Sequence, residues 1–367
     1  MRKGPMRLNY LPYLVSLGVA VLLLGCRTQQ SQAPAFRYDL KSHGLKVDGR
    51  EEGMASYNQL AFLGDDLLLI AINQTTNNRR VERADVELPP ATFLIFDTSQ
   101  RKLIRTSERP LEKYAYSVQP LKNERFAIRD QSGVKVCSTD LTCGLPKPLP
   151  GGGPLLASPS GDVFIGGGFG HTQQVLFDGV SLRELNRFDP ADQSMIPGNE
   201  RALFHVEDGV PHITEAGKSI RTLPIHAITG SYIPYSRFLS NSEVGISEST
   251  TTLLVSRLDG TMLYRVPVNA WYRATSLISS TGGRRFGIRE IDYSRFNSII
   301  HFMDIDNHRP FDRERIRLLE TASGRLVFEI QDDPRPYLNQ LTLPALSPDG
   351  HRLAVIRSGF LEVYDIP

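Results

Sequence analysis

The chain has 367 residues, with 42 lysines and arginines against 40 aspartates and glutamates, a formal charge of +2. That length allows one large or two ordinary domains with a substantial core. Glycine and proline, 30 and 24 residues, suit a turn-rich chain and are too few for a disordered one. Three of the basic residues, Arg2, Lys3 and Arg7, lie ahead of an apolar run near the start. Taking these three from the 42 leaves 39 basic residues facing 40 acidic ones, a net charge of −1. This excludes a global electrostatic pull toward nucleic acid or anionic lipid.

Those three cations and the twelve-residue apolar region from Leu14 to Gly25 have the layout of an export signal, so residues 1–25 stand outside fold reasoning. Leu23-Leu24-Gly25-Cys26 resembles a bacterial lipobox. The resemblance implies that Cys26 is acylated and becomes the mature N-terminus, with the chain exported to the cell envelope. Arg27 stands where an inner-membrane retention signal carries aspartate, so an outer-membrane anchor facing the periplasm is the expected address. The alternatives are plain secretion and an uncleaved anchor, the latter opposed by Asn9 and Pro12 within a short run. Residues 26–35 read as a polar tether.

From Phe36 onward, short β-branched and aromatic runs alternate with turn signals, and no long helical periodicity appears, which argues an all-β chain. A lone strand, Phe36 to Leu40, comes first. A first repeat follows: Leu60 to Leu63, Leu67 to Ile72, Ala91 to Asp97 and Lys102 to Arg105, interrupted by an insertion from Asn73 to Pro90. The second repeat spans Tyr116 to Leu149 and contains VKVCSTDLTCG. Here Cys137 and Cys143 sit on a strand, turn and strand, the pair left over if Cys26 is lipidated. With no second thiol or histidine cluster nearby, they read as a disulfide rather than a metal site. Closing so short a loop contributes about 2 kcal/mol on the chain-entropy estimate.

A third repeat runs from Leu155 to Phe188 around Ser158-Pro159-Ser160-Gly161. A fourth, the least distinct, runs from about Gln193 to Ile225. The fifth spans Tyr232 to Val268, with a hairpin at Asp259-Gly260. The sixth, Thr275 to Gln331, holds a second insertion from Tyr293 to Arg313. The seventh is Leu341 to Pro367, three strands around Ser347-Pro348-Asp349-Gly350 and Gly359.

Four-stranded units at intervals of about 35 to 55 residues are the signature of a β-propeller. Seven units over residues 36–367 predict a single seven-bladed domain. Because the last unit has three strands and the N-terminus one spare, Phe36 to Leu40 is expected to complete the last blade and remove an exposed edge. SPDGHRLAVI and, less fully, SPSGDVFI resemble the repeat turn of WD40-like propellers of the TolB type. No GH…WD pairs occur and Trp271 is the only tryptophan. The resemblance implies a binding scaffold.

In a blade with strands a to d, the b–c and d–a connections share one face. Both insertions are b–c connections, from blades flanking the seventh, so they are expected to share a recognition rim. Its candidates are Arg79, Arg80 and Arg83 on the first insertion, and Asp304, Asp306, His308 and Arg309 on the second. Trp271 and Tyr272, at a d–a junction of the same face, are candidates for stacking on a sugar or aromatic group. The alternative is a set of solvated loops and, for Trp271, core packing. A calcium loop starting at Asp304 is excluded, since Arg309 and Arg315 stand where glycine and glutamate are required. The glycine runs at 151–153 and 166–170 lack the lysine and helix start of a phosphate loop. Ser132 to Lys135 matches S-x-x-K without its partner motifs.

The function expected is that of a non-enzymatic envelope scaffold that binds a protein, peptide or glycan as a monomeric ring, without cofactor, metal or nucleic acid. The rival class is a hydrolase, lyase or cofactor-dependent oxidoreductase with its site in the axial funnel, which needs acids and histidines converging from several blades.

Overall fold

The computed structural model describes residues 33–45, 58–72, 90–111, 118–150, 155–167, 173–188, 196–198, 202–207, 210–215, 221–223, 237–249, 251–268, 272–292, 313–332 and 343–367. All the strands lie within the compact unit Pro34–Pro367. Among the described residues the only helix is a 3-10 turn, Lys41–His43, and no helix is long and apolar enough to cross a membrane.

After β1 (Phe36–Asp39), a first sheet forms from β2 (Gln59–Phe62), β3 (Leu67–Ile72), β4 (Ala91–Asp97) and β5 (Lys102–Arg109). A three-stranded sheet follows, of β6 (Val118–Leu121), β7 (Arg125–Asp130) and β8 (Gly133–Cys137). The next is built from β9 (Leu155–Ala157), β10 (Val163–Gly167), β11 (Gln174–Asp178) and β12 (Glu184–Phe188). Then come β13 (Ile196–Pro197), β14 (Ala202–Glu207), β15 (Val210–Glu215) and β16 (Arg221–Thr222). The fifth sheet has β17 (Arg237–Phe238), β18 (Glu243–Ser249), β19 (Thr252–Arg257) and β20 (Met262–Pro267). The sixth has β21 (Tyr272–Ser279), β22 (Arg285–Asp292), β23 (Arg313–Glu320) and β24 (Leu326–Asp332). Last are β25 (Leu343–Leu346), β26 (Arg352–Arg357) and β27 (Phe360–Asp365). Every pairing is antiparallel between chain neighbours, except that β1 returns to pair with β27. The chain is therefore a propeller-like ring of small antiparallel sheets.

Six sheets, rather than the seven expected, reach four strands. The second repeat stops at three because the segment after β8 cannot complete a ladder. Pro146 and Pro148 have no N–H to donate. Only the isolated bridges Val134↔Lys147 and Cys137↔Cys143 remain. The Lys147 carbonyl and N–H still meet Val134 at 2.9 and 2.8 Å, so the β8 edge is covered without a regular strand.

The central strands are apolar on both sides because each sheet is covered on both faces. Successive residues of β3 serve different neighbours. Leu68, Ile70 and Ile72 pack with Ala354, Ile356, Leu361 and Val363 of the last sheet. Leu69 and Ala71 pack with Phe126 and Ile128 of the second. The outer strand β5 has only exposed and half-buried positions instead.

The a–b turns are built alike. In Ser347-Pro348-Asp349-Gly350 the Gly350 N–H donates to the Ser347 carbonyl at 2.9 Å, while the Ser347 hydroxyl accepts from the Arg352 N–H at 2.9 Å. Ser158 does the same for Gly161 and Val163, at 2.9 and 3.3 Å. Gly161 and Gly350 have φ of 68° and 78°, the left-handed region that favours glycine. These turns also tie sheets together. The Lys122 N–H donates to Gly161, the Gly282 N–H to Pro348, and the Asp349 N–H to the Asp65 carboxylate at 2.9 Å. Arg352 pairs with Asp66 across the same junction of last and first sheets.

Strand β1 is held by its ladder with β27 and by the Leu40 N–H donating to the Gly359 carbonyl at 2.9 Å. Leu40 is fully buried among residues of the first and last sheets. Replacing Leu40 by alanine is expected to lower stability by about 3 kcal/mol. Deleting residues 36–40 should lower it further, both read by thermal and denaturant unfolding followed by circular dichroism.

Candidate functional site

The sheet connections sort the ring into two faces. Four b–c connections are two residues long or close to it: 131–132, 208–209, 250–251 and 358–359. A fifth spans 168–173. The two long ones, 73–90 and 293–312, leave the same end of their sheets. Their sheets lie on either side of the last, since β2 and β21 both pack against β25.

Of the candidates on this face, Arg79, Arg80, Arg83, Trp271, Asp304, Asp306, His308 and Arg309 lie outside the described residues, as does Cys26. Tyr272 opens β21 opposite Asp292 of β22. The structure thus brings the second insertion and the d–a junction to one end of one sheet, through the strands that carry them. Cys137 and Cys143 form the expected disulfide. Among the described residues no group of three or more histidines, cysteines or acids is placed to hold a metal ion.

Beneath the second insertion the sheet interior changes character. At the a–b end, Phe286 and Ile288 pack against Leu253 and Val255 of the fifth sheet. One step further toward the insertion, Glu290 occupies the same face, fully buried. It accepts from Arg315 Nε at 2.9 Å and takes both Nε and Nη2 of Arg317 at 2.8 Å. Arg317 also donates to the Pro267 carbonyl of β20 at 3.1 Å, which ties the charge to the neighbouring sheet. On the opposite face Arg289 donates to Glu314 at 2.5 Å, both nearly buried. That face packs against the last sheet, where Arg357, Glu362 and Tyr364 form a second network. Arg357 Nε meets Glu362 at 2.5 Å, and the Tyr364 hydroxyl donates to the same carboxylate at 2.8 Å.

These charges lie in the b–c halves of two adjacent sheets, and each is compensated nearby, as burial of ions requires. They form a hydrogen-bonded polar floor under the strand ends that carry the second insertion. Sequence reasoning passed over them. Their signal is present in RERIRLLE, where Arg313, Arg315 and Arg317 recur at period two, and in RFGIREID, where Arg289 and Glu290 stand side by side on opposite faces. One period-two stripe does not say which acid meets which base.

Asp130 of β7 stands at a short b–c turn. Burial alone would raise its carboxyl, but hydrogen bonds from Lys135 and Ser132 outweigh that and hold it below its ordinary value. Burial pushes the Tyr264 phenol well above its usual range, with the Glu243 charge adding to it. Its hydroxyl donates to the Thr321 carbonyl at 2.6 Å, joining the fifth and sixth sheets.

No family model matches the chain, and no curated protein matches it. Solved structures do, 1105 chains of them, so the fold is common and does not by itself select a function. A chain in "Crystal Structure of Mitotic Checkpoint Complex" aligns with a TM-score of 0.55 over 91% of this chain and 96% of its own length. At 14% identity that likeness is one of fold alone, a β-propeller-like arrangement.

Replacing Glu290 by alanine removes a fully buried acid from the partly buried Arg315 and Arg317, the first of which keeps a 4.0 Å contact with Glu329, and is expected to cost about 3 kcal/mol. Replacing Arg265, whose pair with Glu248 is half exposed, should change stability by less than about 1 kcal/mol. Chemical denaturation of the two variants checks the contrast. Asp130 has a folded pKa below its ordinary 3.8. Its contribution is therefore fully present above that value and is lost as pH falls through the lower, folded one. Asp130→Asn should flatten the acid limb of the stability–pH curve, measured by urea midpoints at successive pH values.

Proposed function

We propose that this chain is a non-enzymatic binding or scaffold propeller of the bacterial cell envelope, recognising a protein, peptide or glycan through the b–c insertions on one face. The observation that carries the reading is the pairing of long connections. Residues 73–90 and 293–312 extend the same end of two sheets that flank the last one, while most other b–c connections are two residues long. Long loops on a rigid ring are where recognition tends to be built. The first insertion brings Arg79, Arg80 and Arg83. The second brings Asp304, Asp306, His308 and Arg309, with Trp271 and Tyr272 entering at the junction below it. Basic and acidic sides on one rim suit a polar partner, and the aromatic pair suits a sugar ring or an aromatic side chain. The buried ion pairs of β22 and β23 support this by giving the second insertion a stiff base.

On this reading the sheets, six of them four-stranded, make up one monomeric ring. The ring closes through β1 on β27. Acylation at Cys26 holds it to the membrane through the tether 26–35, with the outer-membrane leaflet facing the periplasm as the expected site.

The test is capture of envelope proteins and glycans by the full chain, compared with a variant in which residues 74–89 and 294–311 are replaced by short glycine-serine links. Capture that disappears in the doubly shortened variant, with its melting curve retained, is the expected result. Undiminished capture by that variant overturns the assignment of the face. Metabolic labelling with a palmitate analogue, lost in Cys26→Ser, is expected for the anchor.

A further inference from the structure

The cysteine hairpin has features that a purely structural cross-link does not need. Cys137 lies at the end of β8, 1% exposed. Cys143 is only partly buried, at the outer edge of the second sheet. The two cysteines of one bond thus differ in burial, Cys137 fully buried and Cys143 only partly so. Beside the Cys143 sulfur stands a cation. Arg109, the last residue of β5, donates from Nη1 to Cys143 Sγ at 3.2 Å and from Nη2 to the Leu141 carbonyl. Its described contacts are this sulfur and this carbonyl rather than a carboxylate, and its Nε is buried without a hydrogen-bond partner among the described residues. The guanidinium charge is therefore directed at the place where negative charge would develop on a Cys143 thiolate.

Hydrogen bonds also span the hairpin beside the S–S bond. The Ser138 N–H donates to the Thr142 carbonyl at 3.0 Å and the Gly144 N–H to the Val136 carbonyl at 3.0 Å. Val134 and Lys147 exchange two further bonds. Asp140 closes the turn by accepting from the Thr142 N–H at 3.0 Å and its hydroxyl at 2.7 Å. Leu141 is buried among residues of the first and second sheets. Two thiols kept in register by these contacts remain poised to re-form their bond.

We propose that Cys137 and Cys143 form an exchangeable dithiol–disulfide pair, with Cys143 as the reacting sulfur and Arg109 stabilising its thiolate. The partner class is a disulfide. In the oxidising direction the Cys143 thiolate attacks one sulfur of the partner disulfide. A Cys143 mixed disulfide forms and the partner's other sulfur leaves as a thiolate. The Cys137 thiol gives up its proton and attacks Cys143 Sγ, which closes the internal disulfide and releases the partner's second thiolate. The two protons lost by the cysteines end on the two released thiolates, and two electrons pass to the partner. The reverse sequence consumes a partner dithiol. The inference stands on the hairpin's own geometry and does not depend on recognition through the insertions.

The experiment uses the full chain, with peptide-resolved mass spectrometry to separate the three cysteines. After reduction with dithiothreitol the melting transition should persist, and iodoacetamide at pH 7 should label Cys143 about tenfold faster than Cys137. Arg109→Gln should slow the labelling of Cys143 several-fold, and Arg109→Lys, which keeps the cation, should restore the rate. In Cys137→Ser, glutathione disulfide and insulin, offered separately, should leave a mixed disulfide on Cys143. An adduct with insulin assigns a protein partner, and one with glutathione alone assigns a small thiol. Loss of the folded transition on reduction overturns the proposal. So do equal labelling of the two cysteines, a rate unchanged by Arg109→Gln, and failure of both disulfides to form the adduct.

Discussion

A β-strand sends successive side chains to opposite faces, and a sheet of three or four strands is too small to bury either face on itself. Each sheet here is therefore covered twice, once by each neighbour. In β3 the even positions Leu68, Ile70 and Ile72 pack with the last sheet, while Leu69 and Ala71 pack with the second. In the sixth sheet, Leu319 and Ile288 face the fifth, while Leu318 and Ile316 face the last. No sheet has a core of its own, so the packing energy belongs to the interfaces. This is the logic of repeat proteins, in which a unit's stability is inseparable from its neighbours. It also explains the weight carried by small features at the junctions, such as the a–b turns that donate to the adjoining sheet.

That dependence allows the b–c half of an interface to carry ions instead of hydrocarbon. Glu290 is fully buried because Arg315 and Arg317 reach it from one neighbouring strand, and Arg317 is also held by the next sheet. Buried ion pairs contribute less to net stability than apolar packing of the same volume, but losing one member is severe. What such a floor provides is geometric definition. The ends of β22 and β23, from which residues 293–312 depart, are fixed in direction by charge-assisted hydrogen bonds.

The three-stranded sheet departs from the pattern for a local reason. Its outer position holds a proline-broken segment pinned by Lys147 and by Cys143, rather than a fourth strand. Arg109 reaches this segment from the first sheet, so the disulfide lies at another junction between units. A disulfide, an interrupted ladder and an arginine directed at sulfur all meet at that edge.

The all-β class, the positions of most strands and the placement of both insertions between second and third strands were legible in the sequence. Each depends on local chemistry: apolar runs of strand length, and Ser-Pro-Asp-Gly turns in which glycine supplies positive φ. The Cys137–Cys143 pair was legible for the same reason, since its loop is short. The pairing of β1 with β27 could be anticipated from a strand count, because one strand was missing at one end and spare at the other. The sequence did not reveal that the second sheet would stop at three strands, because that depends on how Pro146 and Pro148 meet the β8 edge. Nor did it reveal the buried ion pairs of the sixth and last sheets. An arginine in a strand looks the same whether it faces water or a glutamate on the next strand. Register and the neighbouring sheet decide which, and these exist only once the chain has folded.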